Sequence, residues 1–412
     1  MVSRESKIHF GMIFLTLFSF ALLLRFTIGI GYFNSFDTYW YRNWSVDLPN
    51  GLFSVYQRAT QISLDYPPLY LLCLYPIGLI YKAVGTDIHS VYQMFLMKFW
   101  PIIFDCLVGA LIYFIFRKKD INIALIGSTL WLLNPSTIYN SAFWGQTDSI
   151  MVFFLVLSFY YLSQKRESLA CIFFAVAGLI KYQSLFFVPV FLLELWLSKK
   201  SIKYFLKGIL SAALTVIAVF LPFMIGSKNL FLFFEVYFGG AGTYKYCTLN
   251  AFNFYGLFGL NWASDENVYG IFAIVVTVLF TVLFAFLYIK AKNRCVFSGG
   301  FIYMQFLFIF VTRMHERYQF VVLGFVLVAF LLHKTKGFLI SYILVSVITL
   351  LNQMLVLVDA NTDGLSIFNN FDLILKIGSG VNILIFAYTV FVVIEFFMLK
   401  GKENKTDVQS VQ

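Results

Sequence analysis

The chain reads as an all-α integral membrane protein. Two observations predict this class. Of its 412 residues 60% are hydrophobic and 12% charged, with a mean hydropathy of +0.83, so a soluble globule of this length would show water too much apolar surface. In addition, its apolar stretches approach or reach the ~20 residues that a helix needs to cross hydrocarbon. Phe and Leu fill those stretches with no period-2 alternation, which argues against a barrel.

Basic side chains set the orientation, because Lys and Arg in short loops stay cytoplasmic. Arg4/Lys7, Arg117/Lys118/Lys119, Lys165/Arg166, Lys199/Lys200/Lys203, Lys290/Lys292/Arg294, Lys334/Lys336 and Lys400/Lys402/Lys405 all fit inside if there are about twelve transmembrane helices. These lie at roughly 8–30, 94–116, 121–140, 148–163, 168–182, 184–198, 204–225, 268–290, 298–312, 318–333, 338–358 and 380–400. The result is a single polytopic domain over about 1–400 with both termini cytoplasmic, followed by a polar tail, 401–412, expected to be disordered. The net charge of +10 reflects this bias and not a nucleic-acid partner. The first apolar run has no small-residue cleavage site and reads as an uncleaved anchor.

The segment from Pro67 to Val84 is apolar enough to look like a span. A crossing there would turn Arg117/Lys118/Lys119 and most later clusters outward. It therefore reads as an interfacial or re-entrant helix in the first outer loop, started by Pro67-Pro68. Outer loops at about 31–93 and about 226–267 are long, and a third near 359–379 carries Asp359, Asp363 and Asp372; such loops between tightly connected helices usually have work to do.

Cys73, Cys106, Cys171, Cys247 and Cys295 are scattered, as are His9, His89, His315 and His333. No disulfide framework, metal-ligand spacing or cofactor motif emerges, so no metal and no cofactor are expected.

Polar islands on the outer side are the candidate site. Asp37 follows the first span, with Arg42 and Trp44 close behind among Tyr39, Trp40 and Tyr41. These residues could be an aromatic interfacial belt with a surface acid, or Asp37 could be a base at the water boundary. In Asp65-Tyr66-Pro67-Pro68 the acid can cap a helix or, with Tyr66, face a substrate. Trp144-Gly145-Gln146-Thr147-Asp148 forms a tight outer turn in which Thr147 or Asp148 can cap the next helix. Trp144 with Gln146 or Asp148 could also hold a sugar. Lys181 breaks the positive-inside pattern, either snorkelling or held for an anion. Arg313, His315, Glu316 and Arg317 sit together where orientation disfavours arginine. An ion pair could pin that loop, but charge there normally marks a substrate path, and guanidinium suits bidentate phosphate contact.

One chemistry uses all these parts. If the donor is a sugar joined to a lipid phosphate, the phosphate leaves without protonation and the acid-plus-base pair of glycosidases is not needed. One base must deprotonate the acceptor hydroxyl while cations balance the departing phosphate. Asp37 can be the base; Arg313, His315, Arg317 and Lys181 can supply the positive field.

Asp37 with Arg42 and Trp44, then Asp65-Tyr66-Pro67-Pro68, then His315-Glu316 resemble, in content and order, the motifs of the GT-C membrane glycosyltransferases. The likeness extends to the dolichyl-phosphate-glucose-dependent glucosyltransferases of N-glycan precursor assembly and their bacterial relatives. The resemblance implies a GT-C fold, an inverting hexosyl transfer from a polyprenyl-phosphate sugar without metal, Asp37 as base and the His315 region at the donor phosphate. His315-Glu316-Arg317 departs from the His-Glu-Lys of eukaryotic members. Beside those eukaryotic members the chain is shorter and its outer loops smaller, which suggests a bacterial pathway with an undecaprenyl-type carrier, in a cell-membrane enzyme acting outside on a cell-surface glycan, glycolipid or teichoic-acid-like polymer. The expected partners are the lipid-linked donor, a glycan or lipid-linked acceptor and membrane lipid. The competing reading is a transporter or flippase for a lipid-linked saccharide, for which Arg25, Lys98 and Asp105, within the spans, are the relevant charges, Lys98 and Asp105 on one helix facing a groove or each other; a purely structural subunit would leave the late cationic cluster without a reason.

Overall fold

A computed structural model describes residues 4–32, 37–85, 87, 90–242, 244–360 and 370–398. The tail 401–412, Asp363, His89 and the Lys400/Lys402/Lys405 cluster lie outside them.

The described residues form an all-α membrane protein. In chain order the helices are α1 (Arg4–Gly31), α2 (Asp37–Asp47), α3 (Pro68–Val84), α4 (Val91–Phe116), α5 (Ile121–Leu132), α6 (Pro135–Ile138), α7 (Asp148–Ser163), α8 (Glu167–Ile180), α9 (Val188–Lys199), α10 (Ile202–Ser227), α11 (Leu232–Gly242), α12 (Phe254–Leu257), α13 (Val268–Lys290), α14 (Val296–Phe310), α15 (Val322–His333), α16 (Lys336–Ala360) and α17 (Phe371–Met398). Two short strands, β1 (Thr248–Leu249) and β2 (Met314–His315), pair in parallel.

Among the described residues six helices are long and apolar enough to cross a membrane alone: α1, α4, α10, α13, α16 and α17. A seventh crossing is possible where α5 continues through Pro135–Trp144 with a 48° bend. The other predicted crossings fall on the shorter helices α7, α8, α9, α14 and α15. α3 has 17 residues and lies against α2; Gly78 permits the approach, since a Cβ there would strike the Ser45 carbonyl.

Burial follows the lipid logic. On α10 and α13 side chains such as Leu206, Leu210, Leu214, Ile274, Val278 and Val282 are exposed, whereas α14 and most of α15 are buried inside the bundle. Helix starts obey capping chemistry: Ser90, Asp120, Asn134 and Ser201 each accept a backbone N–H from the first turn that follows.

The buried charges in the spans have fixed partners. Arg25 donates to Asp105 at 2.7 Å and to the Leu132 carbonyl, while Asp105 also accepts from Ser141 and the Trp131 indole. Lys98 donates to the carbonyls of Gly29, Tyr32 and Ala142. Lys98 and Asp105 thus face neither each other nor a groove. A transport path would need such charges to exchange partners, and each here is committed to the frame.

The α4–α5 and α15–α16 turns meet through Lys334 and Asp120, 2.9 Å apart. Those helices carry Lys98, Trp144 and the 313–321 segment at their other ends, which gathers the polar islands at one end of the bundle.

Candidate active site

A cavity of about 700 Å³ opens at that end, and Asp37, Asp65, His315, Glu316 and Arg317 all line it. Helix geometry explains the contribution of α2. At about 100° per residue, Tyr41 and Trp44 return to the face of Asp37, and both line the cavity with Trp40. Arg42 lies about 140° around from Asp37; it is buried and is not part of the lining, so the expected substrate contact by Arg42 does not fit its place.

Asp37 is held from behind. Its Oδ2 accepts the indole N–H of Trp144 at 2.8 Å and an amide N–H of Gln146. The Gln146 amide is oriented because its oxygen accepts from Tyr41, whose hydroxyl also meets Tyr66 at 3.0 Å. Trp144 ends a π-helical turn, Tyr139–Trp144, and Gly145 adopts φ 81°. A Cβ at Gly145 would lie 2.9 Å from Lys98 Cγ and 3.1 Å from Thr38, so glycine alone fits the turn that delivers Gln146. Trp144 and Gln146 are fully buried; they position the acid, and the sugar contact expected of them from the sequence does not fit that place.

Arg317 is the cation of the cavity. Its Nη1 donates to Glu316 at 2.5 Å, its Nη2 lies 3.7 Å from Asp37 Oδ1, and its guanidinium sits over the rings of Trp144 and Tyr318. Its Nε is buried without a partner among the described residues. Burial disfavours the Arg317 charge, but Asp37 and Glu316 outweigh it and raise its pKa. For Glu316 burial pushes up, while Arg317 and His315 outweigh it and hold the carboxyl down to about 2. Burial lowers His315 despite the pull of Glu316, so its imidazole is neutral at pH 7 and offers a hydrogen bond in place of the fixed charge expected from sequence. Burial also pushes Asp65 up to about 6, helped by the negative charge of Asp37. The cap of α3 is Pro67, with no side-chain cap bond, so Asp65 is not spent as a helix cap.

Two further sequence candidates neutralise each other. Lys181 donates to Asp148 at 2.5 Å, and Asp148 also accepts from Asn140. Both are buried outside the lining. Thr147 is the N-cap of α7 without a side-chain cap bond. Arg313, expected at the phosphate, has a left-handed backbone (φ 64°) and grips Asp265 through Nε at 2.7 Å and Nη2 at 3.2 Å. It lines a separate, apolar groove with Asp265. Tyr182, Gln183, Tyr244, Asn250, Trp262 and Tyr318 line the main cavity without having been anticipated. Of these, Tyr182 and Gln183, beside Lys181, and Tyr318, at the end of the Arg313–Arg317 island, adjoin residues that the sequence singled out; Tyr244, Asn250 and Trp262 do not.

The arrangement joins an oriented carboxylate, a charged guanidinium and aromatic walls, which suits proton abstraction next to an anion-binding group. Among the described residues no cluster of His, Cys, Asp and Glu is arranged to hold a metal ion.

Comparison with known proteins gives this geometry a context. The model of Glycosyltransferase family 87 matches residues 64–309, more than half of the chain. That segment contains Asp65, Trp144 and Lys181, while Asp37 and His315–Arg317 flank it. The chain is also 31% identical over 158 residues to GPI mannosyltransferase 1 of Dictyostelium discoideum, covering 38% of this chain and 33% of that protein. It thus spans about a third of the length of that curated relative. This kinship is coarser than the dolichyl-phosphate-glucose branch suggested by the motifs, and its curated relative is a mannosyltransferase. The extent of the family match decides the assignment: this membrane protein belongs to glycosyltransferase family 87.

Proposed function

We propose that the protein transfers a hexose from a polyprenyl-phosphate carrier to an acceptor outside the cell membrane, with both termini in the cytoplasm. The acceptor would be a cell-surface glycan, a glycolipid or a teichoic-acid-like polymer. The acceptor hydroxyl oxygen attacks the anomeric carbon while the bond from that carbon to the phosphate oxygen breaks, with inversion. The hydroxyl proton passes to Asp37, and the polyprenyl phosphate leaves with the bonding electrons. Arg317 meets the charge that develops on the phosphate. The observation that carries this reading is the fixed attitude of Asp37: one oxygen is tied by Trp144 and Gln146, and the other lies beside Arg317 at the cavity. The cavity volume falls within the range usual for small-ligand sites.

The test is incubation of the purified protein with undecaprenyl-phosphate mannose, glucose and galactose, following loss of donor and the anomeric configuration of the product. Mannose is the first choice because the curated relative is a mannosyltransferase. Consumption of one donor with inversion is the expected result; passage of donor across liposomes without cleavage would favour the transporter reading instead.

A further inference from the structure

The segment between α11 and α13 contributes Tyr244, Asn250 and Trp262 to the cavity lining. Its β1 strand pairs with the strand of His315, and Arg313 N–H donates to the Tyr246 carbonyl, so the loop is stitched to the cationic segment. Two residues on this loop, Asn250 (φ 59°) and Trp262 (φ 57°), hold left-handed backbones and both line the cavity. A bulky non-glycine residue in that region is strained and persists only where its surroundings impose it. Here they do: Trp262 N–H donates to the Thr248 carbonyl at 3.0 Å, and its indole N–H donates to Asn250 Oδ1 at 3.1 Å. The indole also meets the ring of Tyr246 edge to face at 5.2 Å.

Trp262 nevertheless remains 50% exposed. A tryptophan that serves as an interfacial anchor presents an amphipathic ring, with its N–H as the polar end, at headgroup level. In Trp262 the N–H is already used inside the loop, so what this half-exposed side chain has left to offer a ligand is its ring. Such a ring takes the C–H face of a sugar ring, whose weakly positive hydrogens meet the negative face of the indole. Asn250 and Asp65, also in the lining, supply polar groups for hydroxyls.

We infer that Trp262 is a stacking platform for a pyranose ring, held rigid at the mouth of the Asp37 cavity by Asn250 and the left-handed backbone. This rests on the glycosyl-transfer reading and deepens it: the ring belongs either to the acceptor, which would then be a saccharide, or to the donor.

The test uses the full-length protein in nanodiscs and methyl α-mannopyranoside as the probe, with binding followed by saturation-transfer NMR. Wild type should bind saturably, W262F should bind within a few fold of it, and W262L should weaken binding by at least about tenfold. Melting temperature confirms that each variant is folded. W262F, which keeps a ring, carries the comparison against wild type if W262L does not fold: it should then lose less than tenfold. Equal binding by W262L and wild type, or loss in W262F as deep as in W262L, overturns the inference, and the tryptophan is then an interfacial anchor. Hydrolysis of undecaprenyl-phosphate mannose by W262L separates the two sources: unchanged donor hydrolysis assigns the ring to the acceptor, slowed hydrolysis to the donor. Probe binding that depends on Trp262 in a protein that consumes none of the donors would remove the transfer reading and leave the saccharide site standing.

Discussion

Replacing Arg317 by lysine keeps the positive charge of the cavity and removes its shape. The guanidinium reaches Glu316 through Nη1 at 2.5 Å and approaches Asp37 Oδ1 through Nη2 at 3.7 Å, with Nε unpartnered among the described residues. An ammonium is a single point and cannot span both acids while presenting a further N–H to a phosphate. Glu316, buried and held ionised, will take that ammonium first. The variant therefore loses about one charge-assisted hydrogen bond to the transition state, worth roughly 1.5–3 kcal/mol. At about 1.4 kcal/mol per tenfold, kcat/KM should fall roughly ten- to a hundredfold. Initial rates with the donor that wild type consumes measure it directly. Because the cavity keeps its charge, a loss confined to R317Q, with R317K within twofold of wild type, would show that charge alone suffices and refute the geometric argument.

W144F removes one of the two donors that fix Asp37 and leaves Gln146, so kcat should fall about tenfold with the donor KM unchanged; an unchanged kcat would exclude a positioning role. Asp65 carries a pKa raised to about 6, so the folded state binds more protons than the unfolded one between pH 4 and 6 and stability falls as pH rises through that window. D65N should therefore melt with wild type near pH 4 and above it at pH 7, by at most about 3 kcal/mol; a wild type that gains on D65N as pH rises would contradict the assigned burial. K98M leaves three buried carbonyls without their donor, which should destabilise the protein by about 2–4 kcal/mol in thermal melts; an unaltered melt would mean that other groups satisfy them.

Charge in an apolar chain is conspicuous, which is why Asp37, Asp65, His315, Glu316 and Arg317 are legible in the sequence. The cost of placing them near hydrocarbon is itself the signal. What sequence does not carry is partner choice. Lys181 and Asp148 look like two separate site residues until the helices bring them together, and Arg313 differs from Arg317 only because Asp265, 48 positions away, meets it. Arg42 was misplaced for a simpler reason: five positions along a helix lead to the far side, a step that motif spacing ignores. The apolar runs marked the helices well, yet length separates the six long ones from the short ones packed inside, where neighbouring helices and not lipid satisfy the surface. Trp262 gave no sign at all, since a left-handed tryptophan is imposed by its surroundings and not by its neighbours in sequence.

Asp37→Asn tests the account most directly. Asparagine keeps the size of the side chain and an oxygen for Trp144 and Gln146 but cannot accept the acceptor's proton. Transfer by the purified variant should fall by roughly 100- to 10,000-fold, with the melting temperature and donor binding preserved. Turnover near the wild-type rate in a folded D37N protein would contradict the assignment of the base and the mechanism built on it.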